Sequence, residues 1–403
     1  NVTQSSGSIY IQDAQLEQGL VATEYIESGA TTGKAGLLEQ EPRFDYSGGA
    51  SCPSLLLEPS RTQLVNQSEY ITDGTNITAV NNDTQSPEGL VNATRFRLGV
   101  DESATRHRKL FTLSATSGED YSFSVFFKEA DAQWIQLLAQ TTNGVFDIQS
   151  YVNFDLQNGV KGNIGTSVVD SGIEDYGNGW YRCYMVATAQ ATATGYLEIL
   201  TTNNTDSGRY PSYENTTAIN YCYVFGAQIE EGSYPTSYIP NHSGGSVTRE
   251  ADVCGGAGTS STFNDDEGVL YLEASAIDNG SSEKAIAIND GTTNNRINIR
   301  IVNNTIKGLV ILGGSLVCNI SYTATSVITS NKIAFKYKRD DFALWVNGVE
   351  VGTDTSGSTF TADTLNELSF DYGGTSAFFY GNVEQVLYFP SILTDTELAT
   401  LTS

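Results

Sequence analysis

The sequence predicts an all-β protein made of antiparallel β-sandwiches in series, and three observations carry that prediction. Short apolar/polar alternations recur between Gly, Asn and Asp clusters; aromatic residues are plentiful, with 22 Tyr and 17 Phe; and no long run keeps apolar residues at helical spacing. At 403 residues the chain has room for two or three domains, each with its own core.

The first element is half of a repeat. Tyr10 to Ile26 returns 213 residues later as Tyr223 to Ile239, with eight of 17 aligned positions identical, among them Ala14/Ala227, Gln15/Gln228, Glu17/Glu230 and Gly19/Gly232. Residues 1–30 therefore read as the closing strand of an upstream module, and the chain as a piece of a longer series of modules. Residues 31–65 form a connector in which Pro42, Pro53, Pro59 and the Gly48-Gly49 pair forbid a helix. Leu55 to Leu57 is too apolar for a free linker and is expected to dock on a neighbour.

Residues 66–242 form the middle module. Ser122 to Lys128 and Ser150 to Leu156 alternate with period two, and Trp134 to Ala139 does so with one slip at Leu137-Leu138. A turn at Gly177-Asn178-Gly179 feeds Trp180 to Val186, and Tyr221 to Ile229 closes the set, which predicts a two-sheet jelly roll. After a linker at 243–259, residues 260–403 form the last module. Lys332 to Lys338 and Phe342 to Val346 flank a charged turn, and Asn347-Gly348 then leads into Val349 to Val351, a strong hairpin signal because both turn residues tolerate positive φ. Leu393 to Leu401 carries a Thr/Asp cap ahead of leucines at helical spacing and predicts one short terminal helix.

The balance of 21 basic against 47 acidic residues gives a net charge of −26, which repels phosphate backbones and anionic headgroups and argues against nucleic acid as a partner. No segment is apolar over the length of a membrane span, so membrane insertion is not expected. The five cysteines show no metal-binding spacing; Cys183 and Cys222 fall in two strands of one module and could pair, but the odd count leaves at least one thiol free, and mostly buried, small apolar cysteines are expected rather than a disulfide framework. Asn-x-Ser/Thr occurs 11 times, a frequency that so much Asn, Ser and Thr also produces by chance.

Glycan hydrolysis needs two carboxylates across a cleft. The acidic groups here, Glu119-Asp120, Glu174-Asp175, Asp265-Asp266-Glu267 and Asp340-Asp341, all sit at turn signals, where solvated carboxylates are ordinary. Nucleophile-elbow, His-triad, phosphate-loop and zinc patterns are missing from the sequence, so no catalytic residue is assigned and a non-enzymatic protein is expected. No cofactor is implied; a structural calcium at Asp73, Asn81, Asn82 and Asp83, or at Asn289 and Asp290, fits the ligand chemistry without a recognised spacing. His107, inside Arg106-His107-Arg108-Lys109, reads as part of a solvated basic loop.

Sugar binding is the sharper expectation, since aromatic faces stack on pyranose rings while amides and carboxylates take the hydroxyls. The candidates are Trp134, which opens its strand after a polar run, Tyr151, and Tyr210 and Tyr213, which flank Pro211 in a loop and should be exposed. Trp180 and Trp345 lie inside tight alternations and read as core.

Three groups of motifs resemble those of bacteriophage virion appendages of the tail-fibre and head-fibre class: Pro42-Arg43-Phe44-Asp45-Tyr46-Ser47-Gly48-Gly49 with Ser54 to Pro59; Gly179-Trp180-Tyr181-Arg182 and Gly226 to Gly232 with Pro235 to Pro240; and Phe342 to Val349 with Leu393-Thr394-Asp395. The resemblance implies that the middle module is similar to carbohydrate-binding jelly rolls and the last to laminin-G or concanavalin-like sandwiches. It further implies a virion-surface or extracellular segment that touches host-surface glycan and other virion proteins as a homo-oligomer, with a trimer as the form of the class. Two alternatives stay open: the glycan-binding portion of a secreted multi-domain enzyme or adhesin, and a spacer that binds nothing.

Overall fold

The computed structural model describes residues 42–46, 53–101, 103–217, 219–374 and 376–403. The upstream half of the repeat and Cys52 lie outside the described residues. Two compact units divide the chain: one from Arg61 to Arg249, the other from Glu250 to Ser403 together with residues before Arg61. Each is an antiparallel sandwich, and the only α-helix among the described residues is a terminal one, so the all-β expectation of sandwiches in series holds.

The first described strands, β1 (Phe44–Asp45) and β2 (Ser54–Leu57), belong to the second unit. The first unit contains β3 (Arg61–Gln63), β4 (Ile77–Thr84), β5 (Ala93–Leu98), β6 (Arg108–Ala115), β7 (Asp120–Lys128), β8 (Trp134–Ala139), β9 (Tyr151–Asp155) and β10 (Val160–Ile164). It continues with β11 (Val168–Asp175), β12 (Trp180–Thr188), β13 (Ala193–Thr202), β14 (Tyr221–Glu231) and β15 (Val247–Arg249). A six-stranded sheet in the order β11-β12-β7-β14-β5-β4 faces a five-stranded sheet in the order β10-β9-β8-β13-β6, and β3 pairs with β15. Phe123, Val125 and Phe127 of one sheet meet Ile135, Leu137, Phe154, Leu197 and Ile199 of the other, all essentially inaccessible to water.

The recurrent closing motif has a structural task. At Gly226, φ is +59° and the register of β14 slips, so the strand bulges where a Cβ would press on the Tyr238 ring. Beyond it, Gln228 accepts from the Ile239 amide at 2.7 Å, and Glu230 accepts from the Thr236 amide at 2.8 Å and its hydroxyl at 2.5 Å. These bonds fold Pro235 to Pro240 back over the six-stranded sheet, where Tyr238 packs with Phe126, Trp180 and Phe225. Trp180 is buried, as its alternation indicates, and donates to the Gln85 carbonyl at 3.1 Å.

The second unit contains β16 (Glu267–Ala276), β17 (Lys284–Asn289), β18 (Arg296–Val302), β19 (Thr305–Leu312), β20 (Ser315–Thr323) and β21 (Asn331–Lys338). It ends with β22 (Phe342–Val346), β23 (Val349–Asp354), β24 (Glu367–Ser369), β25 (Gly381–Phe389) and α1 (Asp395–Leu401). A seven-stranded sheet in the order β1-β2-β25-β16-β21-β22-β23 faces a five-stranded sheet in the order β20-β19-β18-β17-β24. Leu55 to Leu57 does dock, as a strand paired with β25. Arg43 pairs with Glu58 at 2.7 Å and with Asp252, and Asp252 also accepts the Glu58 amide, so the Pro-bounded motif is tied into this unit by charge. The Asn347-Gly348 turn joins β22 to β23 with φ of 50° and 83°. Helix α1 starts at the Thr394 N-cap with a full capping box to Glu397, and its Leu398 packs on Val269, Tyr271 and a buried Trp345.

Four of the five cysteines fall among the described residues, and all four are free; Cys183 and Cys222 are buried on strands β12 and β14. The pairing that the sequence left open does not form, because β7 lies between those strands.

Candidate functional site

The outer face of the first unit's five-stranded sheet is where polar and aromatic residues collect. Odd-numbered positions of β6, β8 and β13 enter the core, so Arg108, Trp134, Gln136, Leu138, Glu198, Leu200 and Thr202 point the other way, with Tyr151, Asn153 and Asp155 of β9 beside them. A solvent-facing sheet surface would leave these groups wet. Instead Gln136, Leu138, Asn153, Glu198 and Leu200 are all fully buried.

The cover is the segment 203–213 between β13 and β14. Gln136 fastens it: its Nε2 donates to the Gly208 carbonyl at 3.0 Å and to Asn153 Oδ1 at 2.7 Å, while its Oε1 accepts the Tyr210 amide at 2.8 Å. Asn153 adds bonds to the carbonyls of Thr205 at 2.9 Å and Ser207 at 2.6 Å. Tyr210 adopts φ of 58°, a left-handed conformation that costs a bulky residue about 1–3 kcal/mol. This backbone holds its ring among three guanidinium groups, with the Cζ of Arg106 at 4.2 Å, Arg108 at 5.5 Å and Arg209 at 5.7 Å from the centroid.

Glu198 is the carboxylate that pairs with one of these cations. Glu198 accepts from Arg108 Nη1 at 2.5 Å and from Gln140 Nε2 at 2.6 Å. Burial raises its carboxyl above the ordinary value against the opposing pull of Gln140 and Arg108. Burial lowers the Arg209 guanidinium, whose Nε is enclosed without a hydrogen-bond partner and whose Nη2 reaches only the Ala139 carbonyl at 3.3 Å. Neither Arg106 nor Arg209 has a carboxylate partner within ion-pair distance among the described residues. Glu198 and Asp147 act on Arg209 only from beyond that distance, so it is opposed by charge but, like Arg106, unpaired.

Of the four aromatic candidates, the structure brings three to this face. Trp134 sits in the row with Asp155 and Thr202, Tyr151 in the row with Leu138 and Glu198, and Tyr210 over the row between, with Gln136, Leu200 and Arg108; all three are half-buried. Tyr213 is placed elsewhere. Its hydroxyl bonds Thr201 Oγ1 at 2.6 Å and its ring lies 5.0 Å from His107, where burial pushes its phenol up to about 12. Neither tyrosine is as exposed as the loop composition suggested. His107 also departs from the solvated-loop expectation: it is fully buried, 2.8 Å from Asp101 and 3.1 Å from the Gly99 carbonyl.

Of the residues considered for calcium, all but Asn82 use their side-chain oxygens internally. Asp73 accepts the Ala79 amide, Asn81 bridges Ile71 and Thr94, Asp83 pairs with Arg95, Asn289 accepts the Gly291 amide, and Asp290 accepts from Thr292 and Asn295. No group of three or more His, Cys, Asp or Glu side chains placed to hold a metal ion occurs among the described residues.

No family model matches the chain, and no curated protein resembles it in sequence. Several solved structures resemble it in part. The Ruminococcus gnavus IT-sialidase CBM40 bound to alpha2,3 sialyllactose is 17% identical over 36% of this chain and 86% of its own, with a TM-score of 0.32. The SAP-like pentraxin of Limulus polyphemus is 11% identical over 38% and 75%, with a TM-score of 0.31. The binding domain of botulinum neurotoxin DC, in complex with rat synaptotagmin II, is 10% identical over 34% and 35%, with a TM-score of 0.28.

Proposed function

We propose that the first unit is a non-catalytic glycan-binding module whose ligand docks at the segment 203–213, beside Tyr210, with Trp134 and Tyr151 flanking it. The observation that carries the reading is Tyr210 itself: a strained aromatic residue anchored by a buried amide and surrounded by three arginines, two of them without a carboxylate partner. Aromatic faces suit sugar rings, and guanidinium forks suit carboxylate or sulfate groups, so the favoured ligand is an acidic glycan. The carboxylates on this face support binding over hydrolysis. Glu198 and Asp155 stand two strands and four residues apart, roughly 16 Å between backbones, against the roughly 5–9.5 Å between carboxyl groups that glycosidases use. Burial alone would raise the Asp155 carboxyl, but donors from Gln133, Asn158 and Gln157 hold it below its ordinary value, committed to the β9 turn.

The narrower reading, a virion-appendage segment that meets host-surface glycan as an oligomer among other virion proteins, rests on the sequence motifs alone. A glycan array followed by calorimetry on the whole chain tests the binding reading. Acidic oligosaccharides should bind, and Tyr210→Ala and Arg209→Met should each weaken them at least tenfold. An array silent across neutral and acidic sugars retires the proposal.

A further inference from the structure

The second unit carries an arginine–tyrosine cluster of its own, on the outer face of its five-stranded sheet. Ile297, Ile299 and Ile301 of β18 enter the core, so Arg296, Asn298 and Arg300 face outward, and Lys307 of β19 stands directly beside Arg300. Tyr372 lies against them: the Cζ of Arg296 is 4.6 Å and that of Arg300 5.9 Å from its ring centroid. Arg300 Nη1 donates to Glu283 Oε1 at 2.7 Å and to the Tyr372 hydroxyl at 2.8 Å, and that hydroxyl donates to Glu283 Oε2 at 2.5 Å. Both oxygens of the one carboxylate are thereby engaged.

Arg296 is left without an ion-pair partner. Its Nη1 donates to the Thr293 carbonyl, its Nε is enclosed with no partner, and no carboxylate reaches it or Lys307 within ion-pair distance among the described residues. Burial lowers its guanidinium, and Arg300 adds to this, against the opposing pull of Tyr372 and Glu283. Asn298, 1% exposed, holds its Oδ1 enclosed and unpaired in the same row system. Arg296, Arg300 and Lys307 share this half-buried face with Glu283 and, toward β24, with Glu367 and Asp371, the latter committed to the Ser369 hydroxyl and the Gly373 amide; a half-buried guanidinium that pairs with none of these carboxylates is one that an oxyanion relieves.

We infer that this face is a second ligand site, taking a carboxylate or sulfate group on a sugar-like polar ligand through Arg296, with Lys307 supplying long-range charge and the buried Tyr372 ring holding Arg296 in place. It stands on the second unit's geometry and is independent of the first unit's reading.

The experiment is titration of the whole chain, by calorimetry and by chemical shifts of Arg296 and Lys307, with three probes: a uronate oligosaccharide, a sulfated oligosaccharide of the same length and a neutral one. The parent should bind an acidic probe at this face and not the neutral one, with affinity falling as salt rises. Which of the two acidic probes binds more tightly identifies the oxyanion. Arg296→Met should weaken the second-unit site at least tenfold while Arg209→Met leaves it unchanged; Arg296→Lys, which keeps charge without the fork, should recover only part. Lys307→Met, a change at a half-buried side chain, should cost a few-fold and serves if Arg296→Met fails to fold. Unmoved shifts at Arg296 and Lys307 with all three probes, or equal binding of the neutral probe, would overturn the inference.

Discussion

Replacing Gln136 by Leu tests whether a single buried amide holds the covering segment in place. The three hydrogen bonds that Gln136 makes, to Asn153, Gly208 and Tyr210, each contribute about 1 kcal/mol net, and a buried partner left alone costs about 1–3 kcal/mol. Asn153 Oδ1 is sealed, whereas the Gly208 carbonyl and the Tyr210 amide sit on a segment that water can reach, so the loss lies near the low end, about 3 kcal/mol in all. The leucine adds apolar burial that offsets about 1 kcal/mol. The net destabilisation of about 2 kcal/mol corresponds to roughly 4–8 °C in the melting temperature of a unit this size. Calorimetric unfolding of the whole chain reads that shift, and amide exchange at Tyr210 reads the anchor directly, with protection expected to fall first in the segment 203–213. Adding Asn153→Leu should cost less than the sum of the two single changes, because they share a bond. A melting temperature within a degree of the parent, with the Tyr210 amide equally protected, would refute the anchoring role.

Three further outcomes follow from the same geometry. Because burial raises the Glu198 carboxyl, the folded unit binds that proton more tightly than the unfolded chain does. The Glu198 contribution to stability therefore grows as pH falls from neutral through the raised value, and levels off below the unfolded value of about 4.3; Glu198→Gln should abolish that part of the profile in urea titrations, and a parent-minus-variant difference flat from pH 4 to 7 contradicts it. Cys183 and Cys222 are free and sealed, with the Cys222 thiol pushed up to about 12 by burial, so thiol reagents should label them only on unfolding and reductant should leave the melting temperature unchanged. Gly348→Ala puts a side chain at φ of 83° and should lower second-unit stability by about 1 kcal/mol, measured as the shift of its denaturant midpoint.

What the sequence disclosed, and what it did not, divides along the range of the contact that decides each feature. The β22–β23 hairpin and the capped terminal helix are settled by neighbours within four residues, and both stand where Asn347-Gly348 and Thr394-Asp395 put them. The strands of the middle module are settled by alternation, and Ser122 to Lys128 and Tyr221 to Ile229 recur within β7 and β14. The covered face is settled by Gln136 meeting Gly208 and Tyr210 more than 70 residues away, and no local pattern reports such a meeting. His107 is the sharpest case, since its flanking arginines and lysine argue for solvent while its partners, the Asp101 carboxylate and the Tyr213 ring, draw it inside. A signal for the covered face was nonetheless present. The slip at Leu137-Leu138 puts a leucine where alternation demands a polar residue, and an apolar side chain on the outward side of a strand indicates that something lies on top of it. Leu200 repeats the anomaly on the next strand of the same sheet. Read together, the two leucines mark the outer face as covered before any cover is identified, and the island of arginines one strand further on then has somewhere to point.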